Sequence, residues 1–255
     1  MGEFYLKKKI TIIGGAGTIG TILQKGLRDK YNLVILDRNK PKLTENYIQI
    51  DASDFKSLLE SIPDDTEVLI NLLTVHTEND LDDIQKFQDM TKIHFLVSFY
   101  ILHAAVKLGI PKVVFASSNH TTDYYESEGI SKLGREITTE DYPYSRGLYG
   151  VLKLASENIG HIMARENQLS IINLRIGSVH DNEKPDVKKD QRLHRTLLTH
   201  EDTIQLFDLA IQSTVKFGTY YGVSDNPDKP WSMENAWKEL GFVSQVNAIE
   251  VLNDE

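Results

Sequence analysis

Residues 14–20 read Gly-Gly-Ala-Gly-Thr-Ile-Gly, between a β-type run, Ile10-Thr11-Ile12-Ile13, and a helix-type run from Thr18 to Lys30. Glycines at 14, 17 and 20 therefore fall at a strand-to-helix bend. Gly14 allows the tight turn, Gly17 lets the backbone approach a pyrophosphate, and Gly20 lets the helix pack on the sheet. The helix start, with Thr18 and Ile19, offers free N–H groups and a partial positive charge to phosphates. Alone, the pattern also fits a glycine-rich turn in another α/β protein. Asp37 follows the apolar run Asn32-Leu33-Val34-Ile35-Leu36. It stands about 20 residues beyond the glycines, the offset of an acid that bonds an adenosine ribose 2′-OH. A carboxylate there repels a 2′-phosphate and favours NAD. Arg38 beside it is a residue type that accepts that phosphate, which keeps NADP open.

The chain has 255 residues, enough for one α/β domain of ordinary core size. Acidic residues outnumber basic ones by 37 to 28, for a net charge of −9. No basic excess exists to neutralise phosphates, so neither nucleic acid nor an anionic membrane is an expected partner. The chain has no cysteine, which rules out disulfide and thiolate chemistry. No apolar run reaches the roughly 18 residues of a spanning helix, and the N-terminus has no signal-like core. A cytoplasmic location is the expectation.

Short β-branched runs alternate with longer helical stretches. Strands are expected at 10–13, 33–36, 47–50, 67–71, 112–116 and 169–174, and helices at 18–30, 54–62, 83–108 and 146–167. That alternation predicts a doubly wound parallel sheet of Rossmann type. Residues 122–144, polar and ending in Tyr-Pro-Tyr, read as a long surface loop. Beyond residue 178 the pattern becomes irregular, with helices expected at 201–213 and 232–240. The expected division is a dinucleotide-binding domain over 1–178 and a small substrate-binding region over 179–255.

Tyr149 and Lys153 lie four apart in a helix-type segment, which puts both on one helical face. A free phenol has a pKa of about 10, too high for a base at neutral pH. A nearby ammonium and an oxidised nicotinamide both favour the phenolate. Tyr149 is then placed to take a proton from a substrate hydroxyl, and Lys153 to bond the nicotinamide ribose. Ser117-Ser118 closes the strand Val113-Val114-Phe115-Ala116, at a carboxyl end where open α/β sheets place ligands. Ser-Ser-Asn-His, through Asn119 and His120, sets several polar groups in one turn and suits a polyhydroxylated ligand. A strand-end serine also caps local backbone.

In the order glycine loop, acid, serine pair, Tyr and Lys, the sequence resembles the extended short-chain dehydrogenase/reductase family, and within it the uronate dehydrogenases. The matching stretches are Phe115-Ala-Ser-Ser-Asn-His120, Leu148-Tyr-Gly150 with Lys153, Leu174-Arg-Ile-Gly-Ser178, Arg192 with His200-Glu201-Asp202, and Tyr221-Gly-Val-Ser224 with Trp231. The resemblance implies a catalytic trio of Ser118, Tyr149 and Lys153. It implies Asn119, His120, Ser178 and Arg192 as substrate contacts, with Arg192 on a carboxylate. Asp51 and Ala52 resemble the pair beside the adenine. Leu72, Leu73 and Thr74 resemble the loop under the cofactor, and Ile176 belongs with the cofactor contacts. A homo-oligomer is also implied. No metal-ligand spacing is present.

The chain departs from the resemblance after strand four, where Asn71-Leu-Leu-Thr-Val-His76 replaces the family's small residues, in the greater length of loop 122–144, and at two histidines. His76 stands where uronate dehydrogenases carry a substrate-contacting serine, and His94 where the family carries an active-site asparagine. His94 reads either as a satisfied helix histidine or as a proton relay. The expected activity is NAD-dependent oxidation of C1 of a sugar acid or related aldose to a lactone. The rivals are a sugar-nucleotide epimerase or dehydratase using the same trio, and a non-catalytic NAD(P)-binding regulator. Only 77 residues follow Ser178, thin for a nucleotide-sugar site.

Overall fold

The computed structural model describes residues 7–44, 46–75 and 82–253. Strand β1 (Lys9–Ile13) leads through the glycine loop into α1 (Thr18–Leu27), followed by β2 (Asn32–Asp37), β3 (Tyr47–Gln49) and α2 (Phe55–Ser61). Next come β4 (Val68–Asn71), α3 (Ile84–Thr91), α4 (Val97–Leu108) and β5 (Lys112–Ser118). A short hairpin of β6 (Glu126–Ser127) and β7 (Ile130–Ser131) precedes α5 (Leu148–Glu166) and β8 (Ser170–Ile176). The chain ends with α6 (Glu183–Lys189), α7 (Leu193–Thr196), α8 (His200–Gln212), β9 (Phe217–Gly222) and α9 (Ala248–Asn253).

Seven strands form one sheet in the order β3-β2-β1-β4-β5-β8-β9, and every pair is parallel. The fold is the doubly wound, Rossmann-type α/β sandwich expected from the alternation. Alternate residues of each strand feed opposite faces. Ile10, Ile12, Leu33 and Ile35 pack with Leu23 of α1 and Phe207 of α8. Ile13, Val34, Leu36 and Leu69 pack with Leu58 of α2 and Ile101 of α4. Burial on both faces explains why these strands are nearly continuous apolar runs. The strand order reverses between β1 and β4, so the crevice opens there, at the strands' carboxyl ends. Gly14, Asp37, Asn71, Ser118 and Ile176 all lie at such ends.

Several boundaries differ from the sequence reading. The helix expected over 83–108 is interrupted by a π-helical turn, Lys92–Leu96. Strand β5 runs on to Ser118 and β8 to Ile176, because both are central and paired along their full length. The segment 122–144 is only partly a surface loop. Its start belongs to a 3₁₀ turn, Asn119–Tyr125, with Thr122 and Asp123 buried. The hairpin then turns through Glu128 (φ 51°) and Gly129 (φ 79°), the positive angles of a two-residue hairpin loop. The expected helix over 232–240 reduces to a π-helical turn, Ala236–Leu240. Strand β9 was not foreseen. Its Phe-Gly-Thr-Tyr-Tyr-Gly has two glycines and no β-branched aliphatic residue, yet Tyr220 and Tyr221 are fully buried. The division at residue 178 stays a proposal, since β9 completes the sheet and α8 packs on α1.

Gly20 is dictated by packing, since a Cβ there would run into the backbone of Gly15. Alanine is the better helix former by about 1 kcal/mol. Gly20→Ala is nonetheless expected to lower stability by about 2 kcal/mol, because backbone on backbone cannot relax as a side chain can. Urea unfolding of both forms measures the sign.

Candidate active site

Two connected hollows lie along the carboxyl ends of the strands. The smaller is lined by Gly14, Gly17, Asp37, Arg38, Asp51, Ala52, Leu72, Leu73 and Thr74, with Ile93 at its edge. The larger, about 690 Å³, is lined by Ile19, Leu72, Thr74, Ser118, Asn119, His120, Tyr149, Lys153, Ile176 and Ser178 among others. Leu72, Thr74 and Val75 belong to both and join them. Gly20 supports the loop from behind, and Thr18 opens α1 without lining either hollow. His76 lies outside the described residues.

The glycine loop fits a dinucleotide on its own geometry. Gly14 has φ +81°, and a Cβ on it would stand 2.9 Å from the Leu73 backbone nitrogen. Gly17 is different: an added Cβ would meet only Gly14 O, at 3.9 Å. The protein itself leaves that space open. Gly17 is also the N-cap of α1 and has no side chain to cap the helix N–H groups, which leaves them for an anion. Asp37 accepts hydrogen bonds from Ala16 N (3.0 Å) and Asn39 N (2.9 Å), which fixes its carboxylate at the rim of the smaller hollow. The Asp51 carboxyl lies below its usual range, chiefly through hydrogen bonds from Ser53, with Arg38 assisting.

Tyr149 and Lys153 share one face of α5, as their spacing requires. The Lys153 ammonium lies 5.7 Å from the centre of the Tyr149 ring. It donates to Ala116 O (2.8 Å) and Leu73 O (3.2 Å), the backbone at the ends of β5 and β4. Burial pushes the Lys153 pKa down to about 7, against the pull of Glu157 one turn along the helix. Burial also pushes the Tyr149 phenol above its ordinary value, while the side chains of Thr74 and Ser118 draw it back. The sequence reading expected the opposite direction. Desolvation in the cleft outweighs the hydrogen bonds from Thr74 and Ser118.

Ser118 Oγ accepts from His120 N (3.1 Å) and donates to Asn119 Oδ1 (3.3 Å), which holds Ser-Asn-His as one turn. The His120 ring stands edge-on to Tyr149 with centroids 5.6 Å apart. Its Nδ1 bonds Asp123 Oδ2 at 2.8 Å. A carboxylate accepts, so Nδ1 is the donor of this bond. Gly150 is required here, since a Cβ on it would strike the His120 carbonyl. Behind the site, Ser117 Oγ donates to Glu157, and Glu157 takes the Arg175 fork at 3.0 and 2.8 Å. Arg175 continues to the Tyr221 hydroxyl, which pairs with Thr122.

Arg192 does not line either hollow. Its Nε and Nη2 bond the buried Glu126 at 3.2 and 3.1 Å, and Nη1 reaches Ser178 Oγ at 3.3 Å. The cleft instead contains Arg146, Asp123 and His180, which the sequence reading passed over. Arg146 sits three residues before Tyr149, so its position in the chain was a usable signal. Asp123 and His180 carry none.

His94 is buried in the π-helical turn, its ring edge-on to Tyr149 with centroids 4.9 Å apart. Its Nε2 accepts from Val75 N at 3.4 Å, and its Nδ1 has no hydrogen-bond partner among the described residues. Burial and then the neighbouring Lys153 drive its pKa down to about 3, so the imidazole is neutral at physiological pH. The unfolded chain takes up this proton below about pH 6.5, whereas the folded one resists until about pH 3. Stability from this group is therefore present above pH 6.5 and lost as the pH falls towards 3. In His94→Asn the melting temperature is expected to fall less steeply between neutral and mildly acidic pH than in the parent. A thermal scan across that range reads it.

The profile of the NAD dependent epimerase/dehydratase family matches residues 10–200. "Uncharacterized protein YtbQ" of Bacillus subtilis (strain 168) is 50% identical over 97% of this chain and 98% of its own length. The NAD-dependent glucose-6-phosphate dehydrogenase of Haloferax volcanii is 25% identical over 96% of each chain. Among solved structures, a mutant uronate dehydrogenase from Agrobacterium tumefaciens complexed with NAD superposes with a TM-score of 0.80. It is 20% identical, over 95% of this chain and 86% of that one. The glycine loop, the acid closing β2 and the seven-stranded parallel sheet agree with that profile, and the chain belongs to the NAD dependent epimerase/dehydratase family.

Proposed function

We propose that the protein is an NAD-dependent oxidoreductase that oxidises C1 of a sugar acid or related aldose to a lactone. One observation carries the reading: Tyr149, Lys153 and Ser118 converge in a polar cleft whose wall, Leu72 to Val75, continues into the glycine-loop hollow. Relatives named for oxidising glucose 6-phosphate and uronates support the substrate class. Asp37 at the rim supports NAD over NADP.

Gly14, Gly17 and the start of α1 would hold the pyrophosphate, Asp37 the adenosine ribose, and Asp51 with Ala52 the adenine side. Leu72, Leu73, Thr74 and Ile176 would flank the remainder. When bound, the coenzyme supplies the acceptor for the hydride that leaves C1. The Tyr149 phenolate takes the proton of the C1 hydroxyl, and the Ser118 hydroxyl bonds the same oxygen and fixes its direction. The electron pair of the departing O–H bond then closes the carbonyl. Lys153 holds its ammonium against the backbone beneath the phenol, where its charge stabilises the phenolate. Asn119, His120 and Ser178 face the remaining hydroxyls. Arg192 orders Ser178.

Uronates and neutral aldoses, each assayed with NAD and NADP at the reduced-cofactor absorbance, test the reading. Tyr149→Phe is expected to lower kcat by roughly a hundredfold to ten-thousandfold, the usual worth of a general base. Activity that survives the change refutes the assigned base. Gly17→Ala is expected to unfold in urea like the parent while binding NAD at least about tenfold more weakly, because only the ligand needs that space. A fluorescence titration with NADH reads the second effect.

A further inference from the structure

Two arginines of the cleft region share one buried carboxylate. Glu126, at the start of β6, is only 2% exposed. Arg192 closes a two-point fork on it, and the remaining Arg192 nitrogen faces Ser178 and Thr196 Oγ1 (3.5 Å). Arg146 Nη2 donates to the Glu126 carbonyl at 2.8 Å and lies 3.7 Å from its carboxylate. The side-chain exposures separate them: 26% for Arg192 and 48% for Arg146. Among the described residues Arg146 Nε and Nη1 make no hydrogen bond, and Arg146 is the guanidinium that lines the cleft.

The two arginines are bound differently: Glu126 takes the Arg192 fork, whereas its carboxylate is only a distant ion-pair partner for Arg146. Asp123, the carboxylate lining the cleft, is already engaged by His120 Nδ1 and by the Arg146 backbone N–H at 2.6 Å. That N–H bond also fixes the backbone from which the Arg146 side chain extends. Three residues on lies Tyr149, at most about 11 Å along the chain. A hexose with its C1 hydroxyl at the phenol and a substituent at the far end of the ring bridges that gap, helped by the length of the arginine side chain.

We infer that Arg146 is the specificity residue of the cleft. It binds an anionic group, carboxylate or phosphate, on the substrate carbon remote from the one oxidised, while Glu126 commits Arg192 to positioning Ser178. This rests on reading the cleft as a sugar site. An arginine is suited to either oxyanion, since both accept two parallel N–H bonds. An anionic substituent engages the Arg146 donors that the described residues leave unused, and a neutral sugar offers them no charge.

The test is binding to the protein loaded with NADH, by calorimetry, with glucuronate, glucose 6-phosphate and glucose as probes. The parent is expected to bind at least one of the two anions roughly ten- to a hundredfold more tightly than glucose, the worth of a charge-assisted hydrogen bond. That preference weakens as ionic strength rises. R146Q is expected to bring the favoured anion to within about threefold of glucose, with R146K intermediate. The anion whose preference is lost identifies carboxylate or phosphate. A parent with no preference for either anion, or an R146Q protein that keeps it, overturns the proposal. Because the readout is affinity, preference without NAD reduction would fail the oxidation reading alone.

Discussion

The Lys153 ammonium is the point on which the site turns. It is buried in α5 and bonded to Ala116 O, near the carboxyl end of β5, and to Leu73 O, just beyond β4. A buried ammonium is costly unless its donors are satisfied, and here backbone oxygens at the mouth of the sheet satisfy them. The same bonds pin α5 to the carboxyl ends of β4 and β5, one strand from the reversal in strand order. Tyr149, one turn earlier, is thereby fixed beside the hollow that continues from the glycine loop. Glu157, one turn later, supports the charge from the other side.

A layer of buried ion pairs lies around that anchor. Glu157 with Arg175 ties α5 to β8, and Tyr221 with Thr122 extends the tie to β9 and the 3₁₀ turn. Glu126 does the same at the rim with Arg192 and Arg146. Such pairs add little net stability, because desolvation offsets the attraction, but breaking one leaves an uncompensated buried charge. Their contribution is to fix geometry. The inner pair is fully sealed. The outer cluster opens to the cleft, and among the described residues only one Arg146 side-chain nitrogen is hydrogen-bonded.

His94 shows how burial and position set a chemical role. A histidine on a helix surface titrates near neutrality. This one is held neutral by burial and by Lys153, and its ring forms part of the wall behind Tyr149. Its carbonyl accepts from Ser98 and Ser156, which links the π-helical turn to α5. The widened turn and the serine bonds together bring α4 and α5 into contact beside the phenol. Neutral and tied to the Val75 N–H, the imidazole serves there as a structural acceptor.

Much of this was legible in the chain. Short, nearly continuous apolar strands alternating with helices announce a parallel sheet, because a strand covered on both faces must be apolar on both sides. Gly14, Asp37, Ser118, Tyr149 and Lys153 could be found by spacing, since the strand-to-helix turn and the helical repeat are local rules. Strand β9 was not legible, because Tyr220 is core only when α8 covers it and Tyr221 only when Ile137 and Trp231 do. The partner of Arg192 was hidden for a similar reason: Glu126 is 66 residues away in sequence and meets it only through a hairpin folded against Arg192's backbone. The direction of the Tyr149 pKa also belonged to the fold, since a sequence reveals the neighbouring lysine but not how much water surrounds the phenol. Local geometry thus determined which elements form and where their ends point. Long-range packing decided which charges are neutralised and which remain free.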